Sequence, residues 1–335
     1  MKLASSSMSK SIAPDLNHPG AAPVADGQLV QSGEALFPDD CFAEQYETLI
    51  APLFKLPDKL PPTSWAGHIP FLFVLFRLLR PRTYVELGVF AGASLIAACT
   101  AARSFCVSPT LHGIDTWAGD PHIGDYDGEA LFRELSSYLS SHFPEAKLVR
   151  SSFLDARRQF SDGSIDVLNI DGYHTYEAAK KDFVTWLSAV SPQGVILFHD
   201  IAVYDRLFGV HRLWAELKEQ FKTIEFPHSH GLGVLFRDPS DVRLARLLEV
   251  FKRPQARHFY QNLVIDIASS LQERMGHSPN LVGQAEQPKQ QMSSSVSDSL
   301  LLDRLLRSKI LRLIGPASKT WRRIVKEKRR SKTDI

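Results

Sequence analysis

The sequence has no run of the roughly 18 uncharged apolar residues that a membrane-spanning helix needs. Its nearest approach, Ile69 to Leu79, is shorter and contains Arg77, which leaves it as a core helix. Cysteine is scarce: Cys41, Cys99 and Cys106 are odd in number and lack the paired spacing of a zinc site. Neither a disulfide framework nor a structural zinc is expected, and the three thiols read as reduced, buried and inert, which suits the cytoplasm. Met1 to Gln31, rich in Ser, Ala, Pro and Gly, lacks the apolar centre of a signal peptide. No internal repeat is present. The dinucleotide fingerprint Gly-x-Gly-x-x-Gly is missing too; in its place stands Gly88-x-x-x-Gly92, with Glu86 two residues before it, which counts against NAD.

What is present suits one full-sized core with appendages: 335 residues, 44% hydrophobic and 23% charged. The net charge of +2 hides an asymmetry, because Ser299 to Ile335 holds twelve Lys or Arg against three acids, a charge of +9 that leaves −7 on the remainder. A mildly acidic body argues against a nucleic-acid surface there. Composition divides the chain into a disordered leader (1–40), a main domain (41–238), a helical extension (239–275), a flexible Gln- and Ser-bearing linker (276–298) and a basic tail (299–335). In the tail Leu302, Leu305, Leu306, Ile310, Leu313 and Ile314 recur at helical spacing among Arg304, Arg307, Lys309 and Arg312. Such a segment fits peripheral contact with the inner face of a membrane, a fold back onto the main domain, or pairing in a homo-oligomer.

Tyr84 to Leu87 is an apolar strand that runs into the turn Gly88 to Gly92 and then into the helical composition of Ser94-Leu-Ile-Ala-Ala. From there strands (84–88, 111–115, 147–150, 165–170, 194–198, 222–226, 232–236) alternate with helices (93–104, 128–142, 154–160, 175–190, 208–221). That alternation predicts an α/β, doubly wound, mostly parallel seven-stranded sheet with helices on both faces. Ligands of such sheets bind outside the carboxyl ends of the strands. Those ends carry Glu86 and Gly88, Asp115, Ser151 and Ser152, Asp171, and His199 with Asp200. Each could instead cap the helix that follows. Asp171 and Asp200 point more firmly to function, since two acids on neighbouring strand ends repel unless a cation lies between them. Asp171, His199 and Asp200 offer three ligands for a divalent cation such as Mg or Mn, and His174 at the rim offers a general base. Asp115 suits the two hydroxyls of a ribose.

Val85-Glu-Leu-Gly-Val-Phe-Ala-Gly-Ala-Ser94, Asp115, Ile170-Asp-Gly-x-His174 and Phe198-His-Asp200 together resemble a class I S-adenosylmethionine-dependent methyltransferase of Rossmann-like fold. The closer likeness is to the bacterial branch found beside or fused to glycosyltransferases; Trp65-Ala-Gly-His68, Asp115-Thr-Trp-Ala-Gly-Asp-Pro-His122 and Asp182-Phe-x-x-Trp186 extend it over residues 64 to 238. The resemblance implies that Glu86 and Gly88 line the methionine end of S-adenosylmethionine, that Gly92 is among the cofactor-binding residues and that Ser94 bonds the cofactor's carboxylate. It places Asp115 on the ribose and Ser152 with Phe153 near the adenine. Metal-dependent O-methyltransferases set two acids and an amide at the places of Asp171, His199 and Asp200, and a lysine at that of His174, so this chain departs from them at two positions. The loop Trp117 to Tyr126, with Asp120 and His122, is expected to form an acceptor-side lid.

The resulting expectation is an O-methyltransferase acting on a hydroxyl of a sugar, glycan precursor or glycosylated metabolite, with metal assistance. The alternative is a non-catalytic cofactor-binding partner in a glycan-assembly complex. Methyl transfer to a nucleotide sugar or oligosaccharide separates the two, whereas S-adenosylmethionine binding alone does not.

Overall fold

The computed structural model describes residues 42–119, 126–205 and 207–275. The leader with Cys41, the loop residues Asp120 to Asp125, Arg206, the linker and the basic tail lie outside the described residues, and with them the expectations placed there.

Seven strands form one sheet in the order β3-β2-β1-β4-β5-β7-β6. They are β1 (Thr83–Leu87), β2 (Thr110–Asp115), β3 (Ala146–Arg150), β4 (Ile165–Ile170), β5 (Val190–His199), β6 (Lys222–Phe226) and β7 (Leu232–Phe236). The first five pair in parallel, while β7 is antiparallel to both β5 and β6. Order reverses between β1 and β4, the switch point at which ligands enter such sheets.

Side-chain alternation builds two cores, one on each face. Tyr84 of β1 and Val195 and Leu197 of β5 join the cluster around α2 (Ile69–Leu79) and α3 (Ala93–Ser104). Val85, Leu87, Ile196 and Phe198 join the opposite cluster, packed on α6 (Tyr176–Trp186) and α7 (Val210–Gln220). α2 starts with Pro70 in its first turn and ends where Arg80 turns left-handed before Pro81; Phe71, Phe73 and Phe76 are wholly buried. Between these elements lie α4 (Gly128–His142), capped by Asp127, and the short α5 (Phe153–Ala156).

The stretch Phe42 to Phe54, ahead of the sheet, folds as three short turns. A four-residue α1 (Phe42–Gln45) passes into a π-turn (Tyr46–Ile50) and a 3-10 turn (Ala51–Phe54), because Pro52 cannot donate the N–H that would continue a helix. Beyond the sheet, α8 (Ala245–Lys252) and α9 (Pro254–Arg274) pack back on this amino-terminal region, and the Tyr260 hydroxyl donates to the Leu49 carbonyl at 3.0 Å. The expectation of buried thiols is corrected at Cys106: Cys99 is buried inside α3, but Cys106 sits exposed in the turn that ends that helix. Among the described residues no helix is long and apolar enough to cross a membrane.

Candidate active site

Register aligns the carboxyl ends of the central strands. Leu87 pairs with Ile114 and Ile170, and Ile170 with Phe198, so Gly88, Asp115, Asp171 and His199 emerge side by side. After β1 the chain turns through Gly88 (φ 87°), Phe90 (φ 49°) and Gly92 (φ 82°). A Cβ on Gly88 would stand 1.9 Å from the Asp171 carbonyl oxygen; only glycine lets these two loops meet.

Asp115 is already engaged by this turn. Its Oδ2 accepts from the backbone N–H groups of Val89 (2.8 Å) and Phe90 (3.0 Å), and its Oδ1 from that of Trp117 (2.8 Å). A carboxylate offers about four lone-pair sites, so Oδ1 keeps room for one further donor such as a ribose hydroxyl. Helix α3 begins at Gly92 with no side-chain cap, which leaves first-turn N–H groups for a carboxylate. Ser94, expected to bond that carboxylate itself, donates to Glu86 Oε1 at 2.8 Å. Glu86 is fully buried and also accepts from the Tyr84 hydroxyl (2.6 Å) and the Asn169 amide (3.4 Å). Burial, partly offset by the Tyr84 and Ser94 hydroxyls, pushes its carboxyl up to about 7.

Ser152 caps α5, accepting from Asp155 N–H at 3.2 Å and donating to the Asp155 carboxylate at 2.7 Å. The Phe153 ring lies against Gly172, where a Cβ would be 2.4 Å from Cε2. Beside it, burial pushes the Asp182 carboxyl of α6 up to about 7. These features fit an adenosyl ligand laid across β1, β2 and β3: a bare backbone turn, an uncapped helix start, a fixed strand-end carboxylate and an aromatic ring.

The acids and imidazoles after β4 and β5 form one cluster. His174 Nε2 lies 2.8 Å from Asp200 Oδ2 and 3.8 Å from Asp171 Oδ1. His199 Nδ1 bridges both acids, at 3.2 Å from Asp171 and 3.3 Å from Asp200. Asp200 reaches this position because its backbone is left-handed (φ 61°). Burial alone would raise both carboxyls, but the imidazoles, His199 foremost, hold them below the usual range. In return, burial opposes protonation of His174 and His199, yet the two acids outweigh it and raise them to about 9 and about 10.

Asp171, His174 and Asp200 bring one ligand atom each within 4.8 Å of one another. Beside them a cavity of about 10 Å³, lined by Asp171, His174 and His199 among others, has room for a single small particle. Two carboxylates and an imidazole suit a hard divalent cation, so these residues fit one. His199 would then steady the two acids from behind, exchanging places with the base expected at His174. Trp117 is buried with its indole N–H donating to the Phe90 carbonyl at 3.0 Å, whereas Asp120 and His122 lie outside the described residues.

Three further histidines surround this cluster. His68 Nε2 donates to the Ser229 carbonyl and His228 Nε2 to the Gly67 carbonyl, each at 3.0 Å. These reciprocal bonds lock the turn Ser64–His68 to the turn between β6 and β7. His230 in that second turn meets Asp200 Oδ1 through Nδ1 at 3.1 Å. Trp65 stacks on His199, with ring centroids 6.1 Å apart. The sequence signal for this layer was the density His228-Ser-His-Gly231 just before β7, which strand-end reasoning passes over because these residues precede their strand.

Residues 85–201 match the family described as a methyltransferase domain. Over 176 residues the chain is 38% identical to an uncharacterised protein, y4gI, of Sinorhizobium fredii (strain NBRC 101917 / NGR234). That alignment covers 52% of this chain and 19% of the relative, so the chain spans about a fifth of the relative's length. Among solved structures, a methyltransferase from Podospora anserina bound to S-adenosylhomocysteine aligns with a TM-score of 0.40 and 17% identity, over 60% of this chain and 89% of that one. A methyltransferase from Geobacter sulfurreducens aligns with a TM-score of 0.39 and 15% identity, over 53% and 80%.

Proposed function

We propose that this chain, whose residues 85–201 match a methyltransferase domain, is a class I S-adenosylmethionine-dependent enzyme that methylates a hydroxyl of a sugar, glycan precursor or glycosylated metabolite with the help of a divalent cation. The observation that carries the reading is the Asp171, His174, His199 and Asp200 cluster, set beside the glycine turn in the switch-point cleft. S-adenosylmethionine supplies an electrophilic methyl group on a sulfonium when bound. The turn Gly88 to Gly92 and the uncapped start of α3 bind its polar end, Asp115 orients the ribose, and Phe153 covers the base. A cation held by Asp171, His174 and Asp200 would supply Lewis-acid character beside the methyl group. His199, bonded to both acids, fixes their carboxylates so that the acceptor oxygen meets the methyl carbon in line. The methyl–sulfur bond breaks as the oxygen–methyl bond forms, and the hydroxyl proton leaves to the acid and imidazole cluster or to water. The exposed rings of Tyr173 and Tyr204, 42% and 77% accessible beside the loops after β4 and β5, support a sugar acceptor because such rings stack on pyranose faces.

Methyl-labelled S-adenosylmethionine offered with nucleotide sugars, oligosaccharides and catechol tests the reading. Asp171→Asn and Asp200→Asn should each lower transfer at least 100-fold, on the order expected when a positioning charge is lost, while calorimetric affinity for S-adenosylmethionine changes little. Chelation of wild type should reproduce the loss. Full activity in metal-analysed, chelated protein would remove the cation from the scheme, and wild-type protein that transfers methyl to none of these acceptors would reject the reading.

A further inference from the structure

The turn between β6 and β7 is built under backbone strain. Ser229 (φ 48°), His230 (φ 66°) and Gly231 (φ 92°) are consecutively left-handed, and two of the three carry side chains. Side chains are disfavoured in this region, and such residues persist where neighbours over-determine them. Here the neighbours are explicit. His68 holds the Ser229 carbonyl, Gly67 holds His228, and the Ala202 N–H donates to the His230 carbonyl at 2.8 Å. Gly67 and Gly231 admit this packing because a Cβ on either would lie 1.9 Å from Ser229 Oγ or 2.7 Å from Ala202 N.

The product of the arrangement is the placement of one imidazole. His230 Nδ1 lies 3.1 Å from Asp200 Oδ1, the oxygen that does not face His174 or His199. Its side chain is 53% accessible, against 11% for His174 and 1% for His199. With Nδ1–H donating to an ionised Asp200, Nε2 carries a lone pair on the far side of a ring that is half exposed.

We propose that His230 is the acceptor-binding residue of the site, accepting through Nε2 a hydrogen bond from a hydroxyl of the molecule to be methylated. The inference rests on the methyltransferase reading above and adds to it the residue that selects hydroxyl-bearing acceptors. It also gives the strained turn a purpose, since Asp200 is otherwise held by His174 and His199.

His230→Asn and His230→Gln separate this role from a structural one, because the Asn amide occupies the place of Nδ1 and the Gln amide reaches that of Nε2. Steady-state methyl transfer from S-adenosylmethionine is measured with methyl α-rhamnoside, methyl α-mannoside and catechol, using whichever wild type turns over fastest. Cofactor affinity is measured by calorimetry in parallel. His230→Ala and His230→Asn should raise the acceptor KM by roughly three- to ten-fold, the loss of one hydrogen bond. His230→Gln should recover most of that loss, with cofactor affinity unchanged throughout. Recovery in His230→Asn but not in His230→Gln would mean that the imidazole only supports Asp200, and an unchanged KM in all three variants would mean that it does not touch the acceptor; either overturns the proposal. Wild type that binds S-adenosylmethionine but methylates none of the three probes would instead reject the functional reading, and this inference with it.

Discussion

Glu86 is a carboxyl group with no exposure, three hydrogen-bond donors and no cation among its hydrogen-bond partners. Its folded value of about 7 lies above the ordinary 4.5, so the folded chain holds a proton that the unfolded chain releases between those limits. The stability this proton contributes is fully present below pH 4.5 and is lost as pH rises through 7. The shift corresponds to about 3 kcal/mol as an upper bound. Glu86→Gln, neutral at every pH, should therefore be close to wild type at pH 5 and gain on it by up to that amount at pH 8, as read from urea midpoints. A gap between the two proteins that does not change with pH would show that Glu86 titrates normally. Residues of this kind mark the limit of sequence reading. Glu86, Asp115, Asp171, His199 and Asp200 were legible as polar groups at strand ends. What could not be read was how they spend their hydrogen bonds: Asp115 on the loop N–H groups, Ser94 on Glu86, His199 on two acids at once. Those choices depend on angles within a turn, which carry no periodic signal.

The elements themselves were largely open to pattern, because the central parallel strands β1, β4 and β5 are largely buried on both faces and alternate with helices. β4, β6 and β7 coincide with the expected spans, as do α3 and α4. β5 begins at Val190 rather than at 194, since Pro192 in its first half disguised the strand start. Contacts between elements were less legible, and Gly88 illustrates why. Its identity suggested a turn, but its neighbour is a backbone carbonyl 83 positions away in sequence at Asp171. Gly88→Ala combines a left-handed side chain with a 1.9 Å collision against main chain and should cost on the order of 3 kcal/mol. It should also shift the Asp171 loop, so cofactor and cation affinity should fall together. A Gly88→Ala protein with an unaltered urea midpoint would mean that the β1 and β4 loops are not in contact.

Across the molecule, the reciprocal histidine bonds join turns 161 residues apart in sequence. β7, the antiparallel strand, sits between β5 and β6, so the edge of β5 that leads to His199 and Asp200 is covered only after β7 is inserted. Contacts of such long range form slowly, because the intervening chain must be ordered first. The glycine turn and its Asp115 partner need only 26 residues of separation. During refolding, pulse-labelled hydrogen exchange should find the amides of β1, β2 and α3 protected before those of β7 and the turn that carries His230. Simultaneous protection would argue for a single concerted step. A chain emerging amino-terminus first thus completes the turn proposed to hold the methyl donor before the turn proposed to meet an acceptor. A ribosome-bound fragment ending short of His230 would carry the residues proposed for the donor without the one proposed for the acceptor, and synthesis itself would impose the order in which they appear.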